Sequence, residues 1–180
     1  MKIFILIYLY LIYPIYSIWF ISHASIIHDN LSIVGNLNGM RVYFIVWALL
    51  CELALGIGFH KCIHKSMHKK YLIPMLSMSS FMFLTSILLP YLPEEYPILS
   101  ELHIVLSFVG LLSMLFIASM MIISLRMTYH IYPYDYYMIL MYGCSLGIYR
   151  ANYMSVNSLV EVFLGILLPI YLYHLGDRLK

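Results

Sequence analysis

Apolar stretches, most of them near the length of a membrane crossing, dominate this chain: residues 3–21, 40–59, 71–89, 101–125, 134–149 and 157–173. A helix needs about 20 apolar residues to cross a hydrocarbon core of about 30 Å. Six such crossings with short connections use up most of the 180 residues. No length is left for a separate soluble unit, so residues 1–180 form a single domain. Charged residues make up 10% of the chain, against about 25% in soluble domains. The expected fold is all-α, a polytopic bundle of six transmembrane helices, with any chemistry inside the bundle or at its mouths.

The first stretch follows a single Lys2. It is longer than the 7–15 apolar residues of a signal-peptide core, and no small-residue cleavage site follows it, so it reads as a retained first helix with a kink at Pro14. Pro133 opens the fifth stretch as a favourable first helical residue, and Gly176 marks a stop for the sixth. Short cytoplasmic loops are enriched in Lys and Arg. With the N-terminus inside, Lys2, Lys61, Lys65, Lys69, Lys70, Arg126, Arg178 and Lys180 fall inside, and of the ten basic residues only Arg41 and Arg150 fall outside. Both termini are therefore expected in the cytoplasm. Tyrosines such as Tyr71, Tyr91, Tyr96 and Tyr173 crowd the helix ends, as interfacial aromatic belts do.

A net charge of +2, without basic residues interleaved with aromatics, excludes nucleic acid as a partner. Cys51, Cys62 and Cys144 are widely spaced and odd in number, which reads as reduced thiols. Gly143 and Gly147 form a GxxxG, suited to close packing within the bundle.

Ionisable groups inside a membrane face the bundle interior or a wet cavity and find partners there. Glu52 lies in the middle of the second stretch, between Ala48 and Gly56 at helical spacing, a narrow face suited to burial. Glu161 lies one turn into the sixth, with Asn157 and Gly165 on its face. At the same outer level the sequence delivers Asp29 and Asn30, Arg41, Glu101 and His103 with Ser107, and Arg150 with Asn152. Arg41 and Arg150 break the charge bias, so they are expected to pair with Asp29, Glu101 or Glu161. Such a cluster either closes the outer mouth with ion pairs or grips a small polar ligand such as an anionic headgroup.

His60, His64 and His68 recur every four residues, as a ligand ladder would, but they alternate with Lys61, Lys65, Lys69 and Lys70. That composition suits anionic lipid headgroups better than a metal cation. A membrane haem needs histidines paired at one depth; His103 is outer, while His130 and His174 are inner. His23, His28, Asp29 and His103 are the residues from which a zinc site would have to be built, and their spacing matches no standard motif.

Three segments resemble a six-helix family of bacterial and archaeal membrane proteins of unknown function, itself similar to the eukaryotic FRAG, DRAM and Sfk proteins. They are His28-Asp29-Asn30-Leu31-Ser32-Ile33-Val34-Gly35-Asn36, like an acidic D-x-x-S-x-x-G stretch; Leu89-Pro90-Tyr91-Leu92-Pro93-Glu94-Glu95 with Ser100-Glu101-Leu102-His103, a proline loop followed by a histidine; and Asn157-Ser158-Leu159-Val160-Glu161. The layout match covers nearly the whole chain. The extra proline of the loop and the Tyr-rich fifth helix depart from it. The resemblance implies a six-span fold, an association with lipid organisation without a settled activity, and a role for Asp29, His103 and Glu161.

The sequence thus points to a multi-pass cell-membrane protein without assigned catalysis. It binds or organises lipid through Asp29, Arg41, Glu101, His103, Arg150 and Glu161, with Glu52 as a separate intramembrane carboxylate. Bound lipid is expected and no other cofactor; the partners are membrane lipids. One alternative is an accessory subunit of a larger respiratory or transport complex, with other membrane subunits as partners. The other is an intramembrane metal-dependent hydrolase. The orientation is checked by alkaline phosphatase fusions, which are active only outside the cytoplasm: the fusion after Leu179 is expected to be inactive, and one between Pro93 and Tyr96 active.

Overall fold

The computed structural model describes residues 2–23, 25, 29–37, 39–130, 133–151 and 158–179, with the side chains of 133–136, 148, 150 and 151 outside the description. Helix α1 (Lys2–Ile21) is continuous but widens into a π turn at Tyr8–Ile12. The wide turn lies just before Pro14, which has no N–H to donate to the carbonyl four residues back. The expected kink is thereby taken up as a π-bulge. A short helix α2 (Leu31–Asn36) follows, where the sequence reading has a loop. Then come α3 (Arg41–Ile63), α4 (Lys69–Leu88), α5 (Pro97–Tyr129), α6 (Pro133–Ala151) and α7 (Ser158–Arg178).

Among the described residues, α1, α3, α4, α5 and α7 are long and apolar enough to cross a membrane, while the apolar part of α6 is the shorter Tyr137–Gly147. In hydrocarbon a backbone has no water to bond with, so an apolar stretch of this length closes all its bonds internally as a helix. The outward faces fit that medium: Phe4 is 76% and Ile98 78% exposed. Helix α5 begins a turn earlier than expected because Pro97 supplies a preset first helical residue. Its 33 residues reach about 50 Å at 1.5 Å per residue, well beyond the hydrocarbon core.

The chain runs up and down. Lys2 bonds to Asp177 at 2.7 Å, so the two ends of the chain meet at one end of the bundle. Lys61 of α3 lies 3.9 Å from the same carboxylate, and Lys65 donates to Gly176 O at 2.8 Å and to Leu179 O. Lys65 thus caps carbonyls at the C-terminal end of α7, and all three lysines lie where cations are favoured. We call this the basic end.

Helix α3 is central, packed against α7, α4 and α1. On the α1 side, Phe20, Phe44 and Trp47 stack at centroid distances of 6.0, 6.3 and 6.1 Å, and Trp47 Nε1 donates to Ser17 Oγ at 3.1 Å. On the α7 side the backbones nearly touch. A Cβ on Gly58 would lie 2.9 Å from Pro169 O, and one on Gly176 would lie 2.5 Å from Lys61 Cβ. Gly176 is therefore a packing residue rather than the expected helix stop, and α7 runs on to Arg178. Among the described residues Gly143 and Gly147 meet nothing within 4 Å, so the GxxxG makes no close packing there of the kind its spacing suggested. Gly56 is likewise open, and the face of Glu52 is only partly covered.

A Gly58→Ala substitution is expected to destabilise the bundle by about 1–3 kcal/mol, the range for overpacking, whereas Gly143→Ala should be neutral. Thermal unfolding of both variants in one detergent checks the contrast.

Candidate functional site

At the end opposite the lysines, α2 lies wedged among the transmembrane helices. Asn30 caps it, its side chain accepting from Ile33 N at 2.9 Å. An Asn in this role satisfies an amide that the helix leaves free. Gly35 lets α2 lie flush on α3, since a Cβ there would stand 2.5 Å from the Phe44 ring. Two ties bind the segment to α7. Leu31 N donates to Glu161 Oε2 at 2.8 Å. Asp29 O accepts from both Ser158 N at 2.8 Å and Ser158 Oγ at 2.7 Å. A third tie reaches α5, where Ser32 Oγ stands 2.7 Å from His103 Nε2.

His103 is 1% exposed. Its Nδ1 lies 2.7 Å from Ser86 O, near the end of α4. A carbonyl can only accept, so Nδ1 carries the hydrogen and Nε2 presents its lone pair. The Ser32 hydroxyl therefore donates to Nε2. The Tyr91 ring lies alongside, its centroid 5.6 Å away. Arg41 also serves this region. Its Nη2 donates to Ile87 O at 2.6 Å and Leu89 O at 2.8 Å, carbonyls at the end of α4 that lack partners within the helix. Its guanidinium carbon lies 5.8 Å from the centroid of Phe44, and its Nη1 is buried without a hydrogen-bond partner among the described residues.

Below α2 opens a cavity of about 200 Å³. It lies in front of α3 between α5 and α7, each of which packs on its other neighbours. Its polar lining is Ser32, Glu161, Ser107 and Cys51, and the rest is apolar. Along α3 the lining runs from Phe44 to Leu55, roughly 16 Å at 1.5 Å per residue. Phe108 and Leu112 line it while remaining 57% and 48% exposed, so its wall on the α5 side is continuous with the outer face of the bundle.

The structure brings His103 and Glu161 together through α2, and Asp29 joins them by its backbone. The Asp29 carboxylate is occupied locally, accepting from Ser25 N at 2.9 Å. Arg41 stands near, but its described bonds go to carbonyls. Among the described residues it forms no ion pair with Asp29, Glu101 or Glu161, which corrects the pairing expected from charge alone. Desolvated carbonyls at a helix end are an equally good partner for a guanidinium. Glu101 is exposed on α5. Glu52 lies on α3 beside Ser80 of α4, with a buried Oε2 that has no partner among the described residues; it does not line the cavity. The side chain of Arg150, and His28, Asn152 and Asn157, lie outside the described residues.

Ser32 and Ser158 both stand in the segments quoted for the family resemblance, but residue type and spacing give neither hydroxyl a role. The available signal was Asn30 before an apolar turn, a helix-capping arrangement that places Ser32 on a helix. Among the described residues no three metal-ligating side chains gather, and the pair His60 and His64, with ring centroids 4.7 Å apart, lies at the basic end.

Glu161→Ala should cost about 1–3 kcal/mol by leaving the Leu31 amide without its acceptor, and Glu161→Gln, which keeps an oxygen there, clearly less. Thermal unfolding of the two variants in one detergent measures the difference. Compared with protein-family models, curated proteins and solved structures, the chain shows no match to any of them.

Proposed function

We propose that this protein is a six-span membrane protein with both termini in the cytoplasm, and that it binds a phospholipid with one acyl chain in the cavity and the headgroup at the α2 end. The observation that carries the reading is the cavity itself. Its lining is mostly apolar, with Ser32 and Glu161 at its α2 end, and it is continuous with a face suited to hydrocarbon. A groove of roughly 16 Å by helix rise matches one leaflet of a core about 30 Å thick. Arg41 supplies a cation beside Phe44 and Ile87, both of which line the cavity.

The six-span count is supported by parity. The Lys2–Asp177 bond joins the two ends of the chain, which requires an even number of crossings. With α1, α3, α4, α5 and α7 crossing, a crossing by α6 makes the number even. Its 19 residues extend about 28 Å at 1.5 Å per residue, close to the core thickness of about 30 Å. Lys61, Lys65, Lys69 and Lys70 then sit at the cytoplasmic surface, where anionic lipids attract basic segments.

Purification in mild detergent followed by mass spectrometry of the extracted lipid tests the reading. Wild-type protein is expected to retain phospholipid, and Leu164→Trp, which fills the cavity from α7, to lose most of it. Wild-type protein free of phospholipid, or equal retention by the variant, would overturn the proposal.

A further inference from the structure

We propose that Ser32 and His103 are a nucleophile and its general base, placed to take an acyl group from an ester lipid lying in the cavity. The inference rests on the lipid-binding reading and adds a reaction to it. Three groups stand in line. The Ser32 hydroxyl lines the cavity. Behind it, 2.7 Å away, is His103 Nε2. Behind the imidazole, 2.7 Å from Nδ1, is the Ser86 carbonyl. A nucleophile within hydrogen-bond reach of a base, with the base oriented by a third group, is the arrangement that activates a serine. The carbonyl fixes the tautomer, so the lone pair of Nε2 points at the hydroxyl.

The other polar lining groups are committed differently. Ser107 Oγ donates to Ile104 O at 3.0 Å. Glu161 holds the Leu31 amide. Ser32 alone among the described lining hydroxyls is bonded to a base. Its depth also fits the substrate. With a chain along the apolar wall and the headgroup toward Arg41, the ester linkage that joins them comes to the α2 end, where Ser32 sits.

The step balances without a further reactant. Ser32 Oγ forms a bond to the ester carbonyl carbon as its proton passes to His103 Nε2. The carbonyl oxygen takes up the electron pair of the C=O bond and returns it as the bond to the lipid alcohol breaks. That alcohol leaves with the proton from His103, and Ser32 is left as an acyl ester. Water entering at the mouth gives up a proton to Nε2 and attacks the acyl carbon. A fatty acid is released, and the proton returns to Ser32 Oγ.

The experiment is reaction of the full-length protein in mild detergent with a long-chain alkyl fluorophosphonate, followed by intact-mass and peptide analysis and by a parallel measurement of retained phospholipid. One phosphonyl adduct on Ser32, formed with loss of fluoride, is expected; Ser32→Ala should carry none, and His103→Gln should label at least a hundredfold more slowly. A serine that merely ties α2 to α5 would not react. Phospholipid retained without any Ser32 adduct overturns the dyad and leaves the lipid-binding reading standing. Neither retained lipid nor adduct overturns both. An adduct on Ser32 in protein that retains no phospholipid supports the dyad and removes only the bound phospholipid. Should His103→Gln fail to fold, the adduct on wild-type Ser32 decides the matter by itself.

Discussion

The connection between α1 and α3 must satisfy its backbone polar groups with little help from water, and it does so on α7. A short helix leaves several amides and carbonyls without partners of its own, and each one buried without a partner costs about 1–3 kcal/mol. Glu161 takes the Leu31 amide, Ser158 takes the Asp29 carbonyl twice, and Asn30 caps from within. These ties join residues about 130 positions apart in the chain and close the bundle at that end. They also explain a carboxyl group one turn inside an apolar helix: Glu161 is there as an acceptor for a backbone that has left regular helix.

The cavity follows from the same arrangement. Helix α3 is shared by neighbours on both sides, and its close approach to α7 at Gly58 and Gly176 holds α7 away from α5. On the far side α5 packs on α4, where a Cβ at Gly110 would stand 3.0 Å from Phe83 N. Two tightly packed pairs thus flank a gap, and α2 covers one end of it. Two of the groups that hold α2 in place, Ser32 and Glu161, also face the gap, so structural ties and a candidate chemical site coincide. The Ser32 to His103 to Ser86 line belongs to both.

The other end of the bundle works on different physics. Lys2, Lys61 and Lys65 converge on the C-terminal turn of α7. Exposed ion pairs of this kind add little stability because solvent and salt screen them, so their main effect is on position. They fix the register of α1 and α3 against α7 and gather positive charge on one face. The result, among the described residues, is a molecule with a basic end and an end held by hydrogen bonds to Glu161, Asn30 and Arg41, which suits a membrane with anionic lipid on one side.

The long helices were legible in the sequence because run length and charge are local quantities. An apolar stretch of this length in lipid has no alternative to helix, and the helix positions expected from the sequence agree with the structure to within a turn or so at each end. His103 and Glu161 were legible as members of one region for a related reason: an ionisable group in an apolar helix has to find a partner. Which partner it finds was not. Charge alone matched Arg41 to carboxylates, whereas the fold gives it the end of α4. Spacing alone made Gly143 and Gly147 a packing face, whereas the fold leaves them open and uses Gly58, Gly110 and Gly176. Ser32 acquires meaning only when α2 is laid against α5, because a hydroxyl becomes distinctive through what it touches. Composition determined the medium, the helices and the direction of charge; the tertiary structure decided the pairings, since hydrogen bonds between residues 71 and 130 positions apart leave no trace in any local pattern.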